Sequence, residues 1–471
     1  MRDCGCQGLH DARRMSAALG RGATPGDGLP SIEPGMPMPA GTGLDRRSFL
    51  SRSAGVALSV YGASKLGLDA LDEGIAAAAA PDDPILVSIF LEGGVDQLSM
   101  LAPVGDAGYA TRRPLLQLPA NGAHALAGHS SLQWHPKLVS TGVKQLHEEG
   151  KVVVFPSIGY QHDNQSHFTS RHFWEVGAVD MNLNTGWLGR YLDAHGTLDT
   201  PLQGLSIAQS LAPQLAAGSV PVSAMVNPRD YQLNAFGVSD PGIAQEMYRT
   251  IGELGTPNNG DFFLEQARRV SRATATLRGQ LARFADPEGN TYTADFPSKL
   301  AMLADMIAAG LPLKCVALNP SYGGGSYDTH STQYTFLPDL LDFTFQAIVD
   351  FQRALESRGL ADRVVIHVWS EFGRRVRENG TEQARAGTDH GAAGFGMLIG
   401  SRVKGYDGSA DSGMVGEWPG FGAGGVDAYE NQKYTVEFQP VYAALIDQWL
   451  GGDPAKVIAG ADAMTLPQLI R

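Results

Sequence analysis

The strongest constraint on the fold is a short apolar run that ends in a carboxylate. Residues 364–369 (VVIHVW) are rich in β-branched and aromatic side chains, as expected of a buried strand, and they lead directly into Ser370 and Glu371. In α/β sheets, ligands bind in the crevice beyond the carboxyl ends of the strands. The sequence therefore predicts that Glu371 lies where a site would form.

Two neighbouring segments bring more side chains of metal-ligand type to predicted strand ends. The runs 314–320 (KCVALNP) and 395–400 (FGMLIG) both have the length and the apolar content of buried strands. Around these strand ends lie Asp328, His330, Glu371, Asp389 and His390. Imidazole nitrogens and carboxylate oxygens are ligands of divalent metal ions. The alternative is that the carboxylates only form turns or cap helices and that His390 is an ordinary loop histidine.

An amphipathic helix separates two of these strands. Apolar residues recur at helical spacing across 336–355, after the run 314–320 and before the run 364–369. This order of strand, helix and strand indicates a parallel crossover. The apolar runs 85–90 and 151–155 add two more predicted strands. The chain is therefore predicted to be an α/β protein with a mostly parallel sheet.

Three motifs at these strand ends resemble a known family. They are GG-x-D at 93–96, SEFGR at 370–374 and GTDHG at 387–391. Their pattern resembles the secreted bacterial family called domain of unknown function 1501, which is grouped with the alkaline phosphatase and sulfatase superfamily. The resemblance runs from the paired arginines at 46–47 to the C-terminus. It implies one three-layer α/β/α sandwich with an alkaline phosphatase-like core over residues 81–471, with cap insertions around 180–310.

The resemblance also implies a set of metal ligands. They would be Asp96, Asp328, His330, Glu371 and His390. The cofactor would be a divalent metal ion, either zinc or another cation such as Mg²⁺, Ca²⁺ or Mn²⁺. Asp96 and Glu371 would hold one ion and the other three residues a second, an arrangement that suits in-line displacement at a phosphoryl centre.

Two departures from the superfamily pattern leave the number of metal ions open. The usual Asp-His pair is Ser370-Glu371 in this chain, and the usual Asp-x-x-x-His is shortened to Asp328-Thr329-His330. One metal ion or none is therefore an alternative to two. The sulfatase signature, Cys or Ser followed by x-Pro-x-Arg, is absent because residues 166–170 read SHFTS, which argues against a formylglycine sulfatase.

The implied catalytic residues are Ser166, His167 and Arg374. The spacing of bulky residues over 168–176 predicts a helix with Asn164 or Ser166 as its N-cap. A helix N-terminus binds anions through unpaired N–H groups, so Ser166 is either a cap or, by the resemblance, a nucleophile beside His167. Arg374, expected one helical turn past Glu371, would bind an oxyanion with two N–H groups.

Composition limits the partners of the chain. Its 36 basic and 49 acidic side chains give a net charge of -13, and the first 80 residues contribute none of that excess. An acidic surface disfavours nucleic acid and anionic membranes, and it attracts cations. Beyond residue 80 the sequence has a single cysteine, Cys315, so no intramolecular disulfide can form there.

The N-terminus has the order of a targeting segment. Residues 1–44 lack apolar periodicity and are predicted to be disordered. Arg46 and Arg47 precede a mildly apolar stretch at 53–68 and an alanine run at 76–80, as in a twin-arginine signal peptide cleaved near Ala80. This predicts the twin-arginine export machinery as a partner, a periplasmic, extracellular or cell-envelope location, and no membrane span in the mature chain. The alternative is a cytoplasmic N-terminal helix with a chance arginine pair.

Two functional hypotheses follow. The first is an exported, metal-dependent hydrolase of a phosphate or related ester. The second is an exported binding or cell-surface protein that keeps the fold without turnover. Ligand-type residues at successive strand ends favour the enzyme, whereas bound metal without hydrolysis would favour the binding protein.

Overall fold

The computed structural model describes residues 83–198, 200–228 and 292–471, with nine single positions between 243 and 281. The strands are β1 (Ile85–Phe90), β2 (Leu101–Ala102), β3 (Ala125–Leu126), β4 (His129–Trp134), β5 (Val152–Gly159), β6 (Gly204–Ser206), β7 (Ser223–Ala224), β8 (Cys315–Leu318), β9 (Val364–Trp369), β10 (Arg374–Asn379), β11 (Gly387–His390), β12 (Gly394–Ile399) and β13 (Val436–Glu437). The α-helices are α1 (Gln97–Met100), α2 (Ala107–Arg112), α3 (Pro136–Ser140), α4 (Val143–Glu148), α5 (His167–Val176), α6 (Trp187–His195), α7 (Phe296–Ala308), α8 (Gln333–Ser357) and α9 (Phe438–Gln448).

Among the helices of the described residues, none combines the length and the apolar content needed to cross a membrane.

The main sheet has eight strands in the order β13, β5, β12, β9, β1, β8, β6, β7. Every neighbouring pair is parallel except the two pairs that involve β12, which runs antiparallel to both β5 and β9. The carboxyl ends of β1, β5, β8 and β9 therefore lie at the same edge of the sheet. The amino end of β12 lies there too. The predicted mostly parallel sheet is confirmed.

Successive side chains of each strand face opposite sides of the main sheet, and helices cover both sides. In β1, Ile85, Val87 and Ile89 face one apolar core, while Leu86 and Phe90 face another. Helices α3, α4, α7 and α8 pack into the first core, and α5, α6 and α9 pack into the second. Because the strands are buried on both faces, they read as continuous apolar runs in the sequence. The predicted three-layer α/β/α arrangement is confirmed.

Helix α8 connects β8 to β9, and both strands pair with β1 in parallel from its two sides. Its buried residues include Leu337, Leu341, Phe345 and Ile348, which recur every three or four positions along one face of the helix. The crossover therefore places the loops after β1, β8 and β9 side by side at one edge of the sheet.

The described part of the predicted cap belongs to the main fold. Helix α6 packs on the second core, β6 and β7 extend the sheet beside β8, and α7 packs on the first core. Most of the range 229–291, within the predicted cap insertions, lies outside the described residues. The predicted lead and twin-arginine signal of residues 1–80 lie outside them entirely.

Candidate metal centre

Loops from five strands meet at the carboxyl edge of the sheet. The loop after β1 carries Gly93 and Gly94, the loop after β8 carries Asp328 and His330, and Glu371 follows β9. His167 is the first residue of α5, which follows β5, and His390 is the last residue of β11, just before β12. Parallel strands end at the same edge, so distant segments of the chain deliver side chains to one place.

The carboxylate of Glu371 is fully buried and anchors the cluster. Its oxygens accept hydrogen bonds from the backbone N–H of Gly93 at 2.9 Å and of Gly94 at 3.0 Å. Both glycines have positive φ angles, 115° and 74°, which point their amides at the carboxylate. A Cβ at Gly93 would lie 2.4 Å from the backbone nitrogen of Asp328, so a larger residue would push the two loops apart.

Three histidines point the same ring atom at one carboxylate. The Nε2 atoms of His330 and His390 lie 3.1 and 3.2 Å from Oδ1 of Asp328 and 2.9 Å from each other. The Nε2 atom of His167 lies 3.5 Å from Oδ2 of Asp328. Two ligand atoms of a tetrahedral zinc site, each about 2.1 Å from the ion, lie roughly 3.4 Å apart. The spacing of these donor atoms therefore fits a divalent cation.

The other ring nitrogen of each histidine, Nδ1, lies within hydrogen-bond distance of an acceptor. The acceptors are Glu371 Oε1 for His167 at 2.8 Å, the Gln165 carbonyl for His390 at 2.8 Å, and Asp389 Oδ1 for His330 at 3.3 Å. Such an acceptor fixes the tautomer with hydrogen on Nδ1 and leaves a lone pair on Nε2. The ring of Phe372 also packs on His167 and His390, with centroids 5.0 and 4.7 Å away.

The Nε2 atom of His390 faces the carboxylate of Asp328 in a way that favours a bound cation. Burial lowers its pKa, which favours the neutral ring. Its Nδ1–H donates to the Gln165 carbonyl, so its Nε2 lone pair faces an oxygen of the Asp328 carboxylate at 3.2 Å. Two acceptors at this distance repel unless a proton or a metal ion lies between them. The arrangement is therefore typical of a metal site.

The side chains at this edge of the sheet carry more negative than positive charge. Burial alone would raise the pKa of Asp328, but the hydrogen bond and charge of Arg374, together with His330 and His390, lower that pKa. A hydrogen bond to Glu371 raises the pKa of His167 against the effect of its burial. With the histidines in the neutral form that metal ligation requires, the carboxylates of Asp328, Glu371 and Asp389 carry three negative charges against the single charge of Arg374. A divalent cation would balance them.

Ser166 lies beside the cluster. It is the exposed N-cap residue of α5, directly before His167, and its side chain makes no capping hydrogen bond. The predicted helix after Ser166 is confirmed by α5. The capping role that the sequence left open is not supported by this geometry, and the nucleophile role stays a prediction.

Asp96 is not brought to the cluster. Its carboxylate is fully buried and forms a two-point salt bridge with Arg113, with oxygen-to-nitrogen distances of 2.6 and 2.9 Å. It also accepts hydrogen bonds from Ser99 and Gln333. Arg113 and these hydrogen bonds together lower the pKa of Asp96, although burial on its own would raise it. The assignment of Asp96 as a metal ligand is therefore corrected, because its oxygens are occupied by protein donors.

Arg374 is also placed differently from its prediction. It begins strand β10 and does not continue a helix from Glu371. Its guanidinium is fully buried and donates only to protein oxygens, among them Gly94, Thr388 and Asp328. The expected oxyanion-binding role is corrected, because no N–H of this side chain points to solvent. Glu371 is likewise a support for His167 in this structure, with its oxygens held by backbone amides.

The sequence left the role of His167 open between metal binding, substrate orientation and packing, and His167 was placed with the catalytic residues. The structure places it with Asp328 and His390 in a group whose donor atoms all lie within 4.8 Å of one another. The sequence identified Asp389 as a residue of metal-ligand type. In the structure its Oδ1 lies within hydrogen-bond distance of Nδ1 of His330. The position of His167 directly after a helix N-cap that follows a predicted strand was the available signal.

Comparison with known proteins identifies the family. The model of the family described as "Protein of unknown function (DUF1501)" matches residues 84–431, so the chain belongs to that family. This confirms the family predicted from the three motifs. Among curated proteins, none matches the chain.

Solved structures give a weaker likeness. A protein in the alkaline phosphatase superfamily from Vibrio parahaemolyticus is 10% identical, with 90% of this chain and 80% of that chain covered and a TM-score of 0.32. The lipoteichoic acid synthase LtaP from Listeria monocytogenes is 8% identical, with 88% and 79% covered and a TM-score of 0.32. At these scores the likeness carries no argument, and the fold rests on the strand order described above.

The buried ion pair of Asp96 generates a prediction. Asp96→Ala leaves the buried Arg113 guanidinium without its carboxylate, so the free energy of unfolding is expected to fall by about 3–5 kcal/mol. The metal content of the folded fraction is expected to stay unchanged. Chemical denaturation and elemental analysis measure the two quantities on one preparation. Metal loss at unchanged stability would return Asp96 to the ligand set.

Proposed function

We propose that this member of the DUF1501 family binds a divalent metal ion through His167, Asp328, His330 and His390 and hydrolyses a phosphate or related ester. The observation that carries the proposal is the convergence of three Nε2 lone pairs on the carboxylate of Asp328. The surrounding negative charge and the acceptors behind each ring support it. The family itself supplies no activity.

The donor set favours zinc among the predicted metals. Imidazole nitrogens suit zinc and other borderline ions, whereas Mg²⁺ and Ca²⁺ prefer sites made of oxygen atoms. His167, Asp328 and His390 have donor atoms that all lie within 4.8 Å of one another, and His330 would add a fourth ligand through its proximity to Asp328 and His390.

The chain's own groups have separate tasks in the proposed hydrolysis. A divalent cation in this set would act as a Lewis acid toward the oxygens of a phosphoryl or related group. Glu371 and the Gln165 carbonyl keep the rings of His167 and His390 oriented. The amides in the first turn of α5 lack intrahelical acceptors and offer hydrogen bonds to an anionic substrate. Ser166 carries a hydroxyl at that same helix end and is the proposed nucleophile.

One observation favours the alternative of an exported binding protein. The guanidinium of Arg374, the predicted oxyanion-binding residue, donates to protein oxygens and is not exposed to a substrate. A metal-binding protein without turnover would need no such residue. Hydrolysis by the purified protein, tested against a panel of phosphate and sulfate esters, separates the two functions.

Metal binding is tested on two ligands. His390→Ala and Asp328→Ala are each expected to lower the bound zinc by at least about tenfold at fixed free zinc, because each removes one donor from a closed set. His162→Ala changes an exposed histidine outside the cluster and is the matched control. Equilibrium dialysis followed by elemental analysis gives the bound amounts. Unchanged zinc in both ligand variants would reject the site.

The nucleophile is tested by Ser166→Ala. Turnover is expected to fall at least ~10²-fold, the scale of a group that acts mainly in the transition state, while bound zinc stays the same. The melting temperature should not change, because the side chain makes no capping hydrogen bond. Ser140→Ala, on the short helix α3, is the control for a serine to alanine change. Full activity in Ser166→Ala would leave water as the attacking group.

Export is part of the proposal and is tested separately. Replacing Arg46 and Arg47 with lysines is expected to retain the protein in the cytoplasm, since a twin-arginine signal is read through its arginine pair. Arg13 and Arg14 form a second pair in the lead, and their replacement with lysines is the matched control. Cell fractionation followed by immunoblotting measures the distribution. Normal export of the first variant would remove the twin-arginine assignment.

A further inference from the structure

The guanidinium of Arg374 is enclosed by five oxygen atoms. Its Nε donates to the Gly94 carbonyl at 2.6 Å, and its Nη1 donates to the Thr388 carbonyl at 2.9 Å. Its Nη2 contacts the Gly93 and Tyr327 carbonyls and lies 2.6 Å from Oδ1 of Asp328. The side chain is fully buried. Four carbonyls and a carboxylate are the donor set that hard divalent cations take in proteins.

This cage shares an atom with the proposed metal site. Oδ1 of Asp328 accepts from Arg374 and also faces the Nε2 atoms of His330 and His390. In the proposed site, the carboxylate of Asp328 therefore contacts two positive charges. One is the guanidinium of Arg374, and the other is the metal ion. The guanidinium holds Asp328 in place, and the histidines contact the same carboxylate.

The carboxylates that would complete a second metal site are already engaged. Asp96 is paired with Arg113, and the oxygens of Glu371 accept from the amides of Gly93 and Gly94. Adding a second divalent ion beside the buried guanidinium would bring like charges together in a region of low dielectric, which is costly.

We infer that the site takes a single divalent cation and that the buried guanidinium of Arg374 occupies the place of a second. This inference rests on the proposed function, because it assumes that the histidine cluster binds a metal ion. Arg374 is then a positioning residue: it acts through Asp328 and does not touch the substrate. An arginine suits the task because its planar group satisfies several fixed oxygens at once and stays charged when buried.

The number of bound ions is the first test. The purified protein, loaded with excess zinc and dialysed, is expected to hold one zinc per chain by elemental analysis. Two zinc ions per chain would overturn the inference and leave the proposed metal binding standing. No bound zinc would overturn the proposed function, and the inference with it.

Substitution of Arg374 is the second test. The zinc-loaded parent is expected to bind no Mn²⁺, whereas zinc-loaded Arg374→Ala, once circular dichroism shows it folded, is expected to bind one Mn²⁺ in the vacated oxygen cage. Electron paramagnetic resonance detects the bound Mn²⁺. Added guanidinium chloride, below denaturing concentration, is expected to displace this ion by refilling the cage. A folded Arg374→Ala protein that binds no Mn²⁺ would overturn the inference.

Two further variants keep the test decisive. Arg374→Lys retains the positive charge and is expected to bind no Mn²⁺, as in the parent. Arg190→Ala is the matched control, since Arg190 also donates to backbone carbonyls, those of Val176, Thr185 and Val457, away from any carboxylate of the cluster. It is expected to gain no Mn²⁺ site. If Arg374→Ala does not fold, the zinc stoichiometry of the parent and the Mn²⁺ binding of Arg374→Lys still decide the question.

Discussion

The buried carboxylate of Glu371 determines how the loops around it are arranged. A carboxylate without solvent must have its oxygens satisfied, and the chain supplies two backbone amides and one imidazole for this purpose. The amides can point inward only because Gly93 and Gly94 adopt positive φ angles. The imidazole is that of His167, so the same constraint that closes the loop after β1 also orients a residue of α5. The proposed metal binding would depend on this prior arrangement.

Two buried guanidiniums complete the scaffold on either side. Arg113 neutralises Asp96 beneath the loop after β1, and Arg374 joins backbone carbonyls of the loop after β1, the loop after β8 and strand β11 to Asp328. Both are fully buried, and each makes several hydrogen bonds to fixed acceptors. Ion pairs of this kind cost desolvation free energy, and good geometry with full hydrogen bonding offsets that cost. They specify which loops meet more than they add to stability.

The strands were predictable because burial on both faces gives continuous apolar runs, and β1 and β9 have the bounds that their sequences indicate. The meeting of Asp328, His330 and His390 was also predictable, since parallel strands end at one edge. The partners of Asp96 and Arg374 were not. Arg113 lies on a separate loop, and its pairing with Asp96 depends on tertiary geometry that no local pattern contains. Arg374 was taken for a helical residue because five letters of a motif do not distinguish a helix from the start of a strand.

The distribution of charge explains why an external cation would be needed at one place and not at others. Asp96 has a guanidinium of its own, and Glu371 has amides and an imidazole. Asp328 shares one guanidinium with four carbonyl oxygens, while three imidazole lone pairs and the carboxylate of Asp389 add electron density beside it. The partly exposed carboxylate of Asp328 is therefore where we propose that the cation binds. A cation that binds there stabilises the folded chain by mass action, since the unfolded chain does not hold these donors together. The fold thus supplies a guanidinium or hydrogen-bond donors to the buried carboxylates of Asp96 and Glu371, and we propose that an external cation completes Asp328, whose side chain is partly exposed.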